Sequence, residues 1–309
     1  MRQKDQVSRQ LPDKEERLRL FGSVKPGKKT KPVKKEDMAD LQNKQADFLF
    51  KLDEVGITNV KHPIQINSEL TPNQQSSIGS FTFSSTVEQS SKGTNMSRFT
   101  EQLQDFHQRN LLSFDLVNLK LFTKELATRL KTPDAKLEIE APWFFERKGP
   151  SSGLAGLNHA DLKVSVSYTA PDQYEIRVGL TGSVTTLCPC SKEISEYSAH
   201  NQRGEVKLEI ELVDNFDEST IDWKAFLLEA AESNASARLH PILKRPDEKI
   251  VTEQAYENPR FVEDMVRLVA ADLYESDQVI AFFVRCQNHE SIHLHDAIAS
   301  ITIDKRVEH

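Results

Sequence analysis

The sequence predicts an α+β protein made of two successive β-β-α-α-β-β modules, with antiparallel sheets backed by pairs of helices. Segments with alternating apolar and polar residues are typical of strands, and segments with an apolar residue every three or four positions are typical of helices. The order of these segments in the first half of the chain is repeated in the second half, which indicates an internal duplication. We predict the first module over residues 46–171 and the second over residues 172–309.

The predicted elements follow from the period of the apolar residues. In the first module they are strands over 60–66 and 80–87, helices over 96–106 and 116–130, and strands over 136–145 and 160–170. In the second they are strands over 173–185 and 204–213, helices over 223–232 and 260–274, and strands over 278–287 and 293–303. A four-stranded sheet has two unpaired edges, and natural sheets cover such edges by pairing. We therefore expect the modules to pair and the chain to form an oligomer.

The composition is that of an ordinary water-soluble protein, with 38% hydrophobic and 28% charged residues. No apolar run approaches the roughly 18 residues of a membrane span, and the N-terminus has no apolar signal core. We expect a cytoplasmic protein without a membrane partner. A net charge of -7 argues against nonspecific binding of nucleic acid by the whole molecule. Three cysteines are too few for a disulfide framework, so their reactivity is of more interest.

Residues 1–45 form a basic segment with few residues able to build a core. Its lysines stand close to two prolines, Pro26 and Pro32, and include Lys28, Lys29, Lys31, Lys34 and Lys35. This composition predicts a disordered or loosely docked tail. A nucleic-acid-binding arm is the alternative interpretation.

The most informative stretch runs from residue 187 to residue 203. Cys188 and Cys190 flank Pro189, and His200 follows in a polar segment. Thiolate and imidazole are ligands that zinc and similar divalent ions prefer, and catalytic sites combine three protein ligands with an open position. A catalytic metal site is therefore one interpretation. A structural zinc site, or two small apolar residues without a chemical role, are the others.

Three further segments carry polar residues of interest. The polar connection over residues 243–253 contains Glu248, which can complete a Cys/His/Glu ligand set or belong to a solvated run of charges. Glu263 stands in the first turn of a predicted helix, where the helix dipole favours a carboxylate. Residues 288–295 contain three of the nine histidines of the chain, and an imidazole is the usual general acid or base near neutral pH.

Five motifs together resemble the prokaryotic type IB GTP cyclohydrolase I family. They are Leu-Cys-Pro-Cys-Ser-Lys-Glu-Ile-Ser, Ala-His-Asn-Gln-Arg, Lys-Arg-Pro-Asp-Glu-Lys, Glu-Asn-Pro-Arg-Phe-Val-Glu-Asp and Asn-His-Glu-Ser-Ile-His. The resemblance covers roughly residue 45 to the C-terminus. It implies the tunnelling fold, assembly into a barrel-containing homotetramer, and conversion of GTP and water to 7,8-dihydroneopterin triphosphate and formate. That reaction is the entry step to folate and to queuosine-type tRNA modification.

The resemblance also implies roles for individual residues. Cys188, His200 and Glu248 would hold one divalent metal ion per active site, whose bound water attacks guanine C8. Zinc suits the thiolate best, and manganese or iron would accept the same ligands. The remaining implied roles are an essential thiol near C8 for Cys190, a guanine anchor for Glu263, and proton transfer for His293 with Glu290 and His295. A carboxylate can accept two parallel hydrogen bonds from guanine N1–H and its 2-amino group.

The triphosphate of the substrate requires cations, and Arg98, Lys192 and Arg203 are the candidates. Each of them could equally be a surface or interface charge. One position departs from the family pattern, because Asn95 stands where we expect a histidine. A role in substrate binding or proton transfer at that position is therefore in doubt.

Two alternative functions stay open at this point. A nitrile reductase-like enzyme of the same fold would use a lone thiol as nucleophile and need no metal, so metal analysis separates it from a cyclohydrolase. A purine- or pterin-binding protein without catalysis would produce no fluorescent pterin from GTP.

Overall fold

The computed structural model describes residues 11–22, 32, 34–42 and 44–307. In this part of the chain the strands are β1 (Leu52–Asn67), β2 (Gln74–Val87), β3 (Asp134–Lys148), β4 (Ala155–Thr169), β5 (Gln173–Leu187), β6 (Asn201–Leu212), β7 (Val279–Asn288) and β8 (Ala297–Asp304). The α-helices are α1 (Lys14–Phe21), α2 (Ser97–Gln108), α3 (Leu116–Leu130), α4 (Pro189–Ile194), α5 (Trp223–Ser233), α6 (Arg245–Glu257) and α7 (Val262–Glu275), and Lys35–Asp37 forms a 3₁₀ turn.

The strands form a single antiparallel sheet in the order β1 to β8. The α+β class, the repeated strand and helix order and the expected pairing of the two modules are therefore confirmed, and this pairing joins the sheets of the modules into one. The modules are joined by β4 and β5, which pair from Asp161 opposite Thr181 to Thr169 opposite Gln173. Only three residues separate the two strands, and so short a connection makes them hairpin neighbours.

The helices cover one face of the sheet. Helix α3 packs on β3 and β4, α5 on β5, and α7 on β7 and β8. In the first half, the ring of Phe83 on β2 stacks on Phe122 of α3 with centroids 5.6 Å apart, and Phe122 contacts Phe106 of α2 at 4.8 Å. All three rings are fully buried, and burying one such side chain stabilises the fold by about 1.5–3 kcal/mol.

The opposite face of the sheet is polar. Lys163 on β4 and Glu209 on β6 form an ion pair with 3.6 Å between nitrogen and oxygen. The two residues lie on either side of Gly179 on β5, which has no side chain to separate them. A Cβ at this position would lie 2.8 Å from the carbonyl oxygen of Leu208, so the close approach of β6 requires glycine here.

Two predicted boundaries are corrected by the structure. Residues 243–253 were expected to form an irregular connection, but α6 begins at Arg245. Pro246 and two acidic residues occupy its first turn, which is a composition typical of a helix start. The last strand begins at Ala297 rather than at residue 293, so His293 and His295 lie in the loop between β7 and β8.

The predicted basic tail is described only in part. Lys28, Lys29 and Lys31 lie outside the described residues. Within the described residues, α1 forms a regular helix in which no residue is buried. The disordered or loosely docked tail over residues 1–45 stays a prediction. The module limits at residues 46, 171 and 172 stay predictions. No helix in the described part of the chain has the length and apolar character needed to cross a membrane.

Candidate active site

Cys188 and His200 lie opposite each other where the ladder between β5 and β6 ends. The last paired residues are Leu187 and Asn201, and the backbone N–H of Cys188 then donates to the His200 carbonyl at 3.1 Å. Residues that lie directly opposite in antiparallel strands direct their side chains to the same face. Eleven intervening residues, including the short helix α4, are therefore closed into a loop with the thiol and the imidazole at its two ends.

The loop is fastened at its base by Ser191. Its backbone N–H donates to the sulfur of Cys188 at 3.4 Å, and its hydroxyl accepts from the backbone N–H of His200 at 3.1 Å. The hydroxyl also donates to the Cys188 carbonyl at 3.4 Å. One serine thus bonds to both residues of the pair and holds them in register.

The end of β5 is fixed from its other side as well. Ser236 is fully buried, its hydroxyl accepts from the Leu187 N–H at 3.0 Å, and its own N–H donates to Thr185 at 3.1 Å. The N–H of Arg260 donates to the Leu187 carbonyl at 2.9 Å. Cys188 therefore follows a strand end that is held by strand β6, by Ser236 and by Arg260.

The His200 imidazole is surrounded by oxygen atoms. Its Nδ1 lies 3.0 Å from Oε1 of Gln202, 3.5 Å from the hydroxyl of Ser291 and 4.0 Å from Oε2 of Glu290. The side chains of His200 and Glu290 are only 15% and 14% exposed. The structure therefore brings Glu290, one of the predicted proton-transfer residues, beside the predicted metal ligand His200.

Glu290 belongs to a loop whose two ends are tied together. Asp296 accepts a hydrogen bond from Gln287 at 2.7 Å and lies 3.1 Å from Nδ1 of His289. The bond from Gln287 is the main reason that the pKa of Asp296 is lowered from its ordinary value. Between these ends, His293 and His295 are exposed and their rings stack with centroids 4.8 Å apart.

Glu248 stands in the exposed first turn of α6, next to the fully buried Asp247. The Asp247 carboxylate accepts from the N–H groups of Ser151 at 2.7 Å, Ser152 at 2.8 Å and Lys244 at 2.8 Å. Burial raises the pKa of Asp247, but the backbone donors of Lys244 and the serines outweigh it and lower that pKa well below its ordinary value. Asp247 therefore connects the β3–β4 loop of the first module to the helix start that carries Glu248.

Glu263 stands in the first turn of α7 and is exposed. The N–H of Arg260, three positions before Glu263, donates to the carbonyl of Leu187, which is next to Cys188 in the chain. The start of α7 is thus fastened to the strand end that carries Cys188. No contact between Glu263 and the pair of Cys188 and His200 is present in the structure as described.

The two other cysteines differ in environment. Cys190 is exposed on α4 and open to a ligand, whereas Cys286 is buried in the core and burial raises the pKa of its thiol to about 12. Among the described residues, no three side chains of His, Cys, Asp or Glu form a group that could hold a metal ion. The ligand set of Cys188, His200 and Glu248 therefore stays a prediction.

The three predicted phosphate-binding cations lie apart. Lys192 donates to the carbonyl of Tyr256 at 2.5 Å and its ammonium lies 4.5 Å from the centre of that ring. Arg98 donates to the Leu130 carbonyl at 3.2 Å in the first module. Arg203 is exposed and lines a cavity of about 200 Å³ together with His240. Their role in binding a triphosphate stays a prediction.

Comparison with known proteins decides the family. The family described as "Type I GTP cyclohydrolase folE2" matches residues 38–299. A protein of Oceanobacillus iheyensis named GTP cyclohydrolase FolE2 is 64% identical over 300 residues, which cover 97% of this chain and 99% of that protein. The protein of the same name from Bacillus subtilis is 54% identical and covers 96% of this chain and 97% of its own length.

The chain belongs to the type I GTP cyclohydrolase FolE2 family. Among solved structures, the uricase of Arthrobacter globiformis superposes on 84% of this chain and 96% of its own length, with a TM-score of 0.48 and 9% sequence identity. The motif resemblance found in the sequence and the family match therefore agree, and the match covers both modules.

Asp247 was not identified as a functional candidate from the sequence. The signal was present, because an acidic residue just after a proline at a helix start is typical of a capping residue. The sequence could not show that Asp247 also accepts hydrogen bonds from Ser151 and Ser152, which lie in the β3–β4 loop almost a hundred positions earlier.

We predict that Asp247→Ala loosens the β3–β4 loop and the start of α6 together, because one carboxylate supplies the acceptors for both. Hydrogen exchange followed by mass spectrometry should show faster exchange at Ser151, Ser152 and Lys244. Asp13→Ala, which removes the side-chain cap of α1, is the control and should leave these amides unchanged. Unchanged protection at all three amides in Asp247→Ala would show that the carboxylate does not connect the two segments.

Proposed function

We propose that this chain is a metal-dependent GTP cyclohydrolase I that converts GTP and water to 7,8-dihydroneopterin triphosphate and formate. The observation that carries the proposal is the pairing of Cys188 with His200 at the end of β5 and β6, in a chain whose FolE2 relatives match it over almost their whole length. The product is the first intermediate of folate biosynthesis, and we place the enzyme in the cytoplasm.

The proposed metal ligands are Cys188, His200 and Glu248. A sulfur and an imidazole on one face of a rigid strand pair fit a divalent ion, and zinc, manganese or iron are compatible with this donor set. Glu248 can be the third ligand only if its exposed carboxylate, in the first turn of α6, reaches Cys188 and His200. When bound, such an ion acts as a Lewis acid and activates water for attack on C8 of the guanine.

Glu263 is the proposed anchor of the guanine. Its carboxylate is exposed at the start of α7, where nothing in the described structure prevents it from accepting N1–H and the 2-amino group of a purine. Guanine offers two such donors side by side. Adenine has no N1–H and no 2-amino group, so the same contact selects against it.

Proton transfer is assigned to the loop between β7 and β8. Ring opening and release of formate need a donor for the leaving amine, and an imidazole near neutral pH suits this role. His293 is the proposed donor, and the ring of His295 stacks on it. Glu290, on the same loop, lies 4.0 Å from Nδ1 of His200. The exposed thiol of Cys190 lies two positions from Cys188 and is the proposed partner of C8.

For the triphosphate we propose Arg98, Lys192 and Arg203. Arg203 has an exposed side chain close in sequence to His200, whereas Lys192 has to leave Tyr256 before it can reach a phosphate. Asn95, where a histidine was expected, can donate a hydrogen bond but cannot transfer a proton at neutral pH.

We also propose a homotetramer. In the described part of the chain, β1 and β8 each have one neighbour, so two long backbone edges are available for pairing between chains. Four large apolar side chains, Ile194, Tyr197, Ile292 and Leu294, are exposed on the two loops beside His200. A second chain at this position would cover them.

Replacement of the two motif cysteines should separate their roles. We expect Cys188→Ala to lose both bound metal and activity, because a ligand is removed, and Cys190→Ala to lose activity while it keeps the metal. Activity is measured as the fluorescent pterin formed from GTP after oxidation of the product, and metal by elemental analysis. Full activity in either variant would contradict the proposed site.

Glu263→Ala should lower kcat/KM for GTP by about 10²–10⁴-fold, because two charge-assisted hydrogen bonds to guanine are lost. The bound metal should remain at its wild-type stoichiometry. Glu275→Ala at the other end of α7 is the matched control and should keep its activity. Loss of metal from Glu263→Ala would show that this carboxylate is a ligand rather than the anchor.

The native mass of the purified protein tests the assembly. Light scattering or native mass spectrometry should give four chains of 35.1 kDa. A charged substitution at an outward position of β8, Ser300→Lys, should shift the mass towards smaller species by disrupting strand pairing. A monomeric wild-type protein would refute the tetramer.

A further inference from the structure

We propose that Gln202 is a positioning residue that holds the His200 imidazole in one tautomer, with Nδ1 protonated and the lone pair of Nε2 free for a metal. In the same arrangement, Thr186 fixes the side-chain amide of Gln202. This inference rests on the proposed metal site at Cys188 and His200, and it assigns a role to two residues outside the ligand set.

The geometry is a square of four side chains on one face of β5 and β6. Thr186 pairs with Gln202 in the ladder between β5 and β6. Cys188 and His200 lie opposite each other two residues away in each chain segment. His200 and Gln202 are two positions apart in an extended segment, so they share a face. The square therefore places a hydroxyl and an amide next to the thiol and the imidazole.

The Gln202 amide lies between the Thr186 hydroxyl and the His200 imidazole and bonds to both. Nε2 of Gln202 donates to the hydroxyl of Thr186 at 3.1 Å, and Oε1 faces Nδ1 of His200 at 3.0 Å. An amide oxygen can only accept, so Nδ1 carries the proton. Of the other two groups near Nδ1, the Glu290 carboxylate can only accept and also favours a protonated Nδ1, whereas the Ser291 hydroxyl can donate or accept and suits either tautomer.

Burial makes the arrangement difficult to replace by water. Gln202 is 8% exposed and Thr186 is fully buried. A neutral imidazole has one nitrogen that donates and one that accepts, and the accepting nitrogen is the one that binds metal. Partners that hold the other nitrogen of a metal-binding histidine typically contribute a factor of about 10–100 in metal affinity.

The experiment measures zinc affinity of the full-length apoprotein by competition with a chromophoric chelator. Gln202→Leu removes both hydrogen bonds and should weaken zinc binding about 10–100-fold. Gln202→Glu keeps an acceptor opposite Nδ1 and should bind zinc nearly as tightly as the wild type. Thr186→Val leaves the amide free to rotate and should give a smaller loss than Gln202→Leu.

Gln102→Leu is the matched control. Gln102 is fully buried on α2, accepts from Arg129 at 2.7 Å and donates to the Phe122 carbonyl at 3.5 Å, so its loss disturbs a comparable buried network in the other module. Its zinc affinity should equal that of the wild type. This control separates a general loss of stability from an effect on the imidazole.

Cys188→Ala separates failure of this inference from failure of the proposed site. Zinc binding by Cys188→Ala as tight as in the wild type would mean that the proposed metal site is wrong. If Cys188→Ala loses zinc, wild-type affinity in Gln202→Leu would overturn the positioning role. An affinity in Gln202→Glu as weak as in Gln202→Leu would overturn it as well, because the amide would then act as a donor. Circular dichroism checks that each variant folds. If Gln202→Leu does not fold, the zinc affinity of Gln202→Glu tests the positioning role in its place.

Discussion

The antiparallel pairing of β5 with β6 is the interaction on which the candidate site depends. It continues by one further backbone hydrogen bond beyond Leu187 and Asn201, and that bond places Cys188 opposite His200. A shift of one residue in this register would turn the thiol to the other face of the sheet. Ser191, which bonds to both residues, fixes the register at the loop itself.

The remainder of the fold keeps this strand pair rigid. Pairing of β4 with β5 incorporates the second module into the sheet of the first, so β5 lies in the middle of an eight-stranded sheet. The buried Ser236 and the backbone of Arg260 hold the strand end from the side that β6 leaves free. Asp247 adds a connection from the first module to α6. Reactive side chains therefore lie on short loops whose bases are held by buried backbone contacts, an arrangement that leaves little freedom where the ligands begin.

The sequence predicted those parts of the structure that depend on local pattern. The period of leucines and Phe122 gave α3 its observed limits, and the ligand chemistry of Cys188 and His200 identified a pair that the structure brings together. Helix α6 was not predicted because its residues are mostly polar and show no clear apolar period, although Pro246 and the acidic first turn are typical of a helix start.

The features that the sequence did not predict depend on tertiary contacts. The continuous sheet depends on strand pairing between modules, which no single segment encodes. From the sequence, Lys192 was a candidate for binding phosphate. In the fold its ammonium contacts Tyr256, 64 positions further along the chain. Glu248 and Glu263 stand on different helices, and chain separation alone does not define how near they come to Cys188. The roles of Gln202 and Thr186 likewise became visible only when the ladder register was known.

The central claim is that one sulfur and one imidazole from this strand pair bind the same metal ion. X-ray absorption spectroscopy of the zinc-loaded protein tests it directly. The account predicts a single sulfur scatterer at about 2.3 Å, with nitrogen and oxygen scatterers at about 2.0–2.2 Å and the multiple-scattering pattern of imidazole. A spectrum with only oxygen and nitrogen neighbours, or with several sulfur atoms, would contradict it.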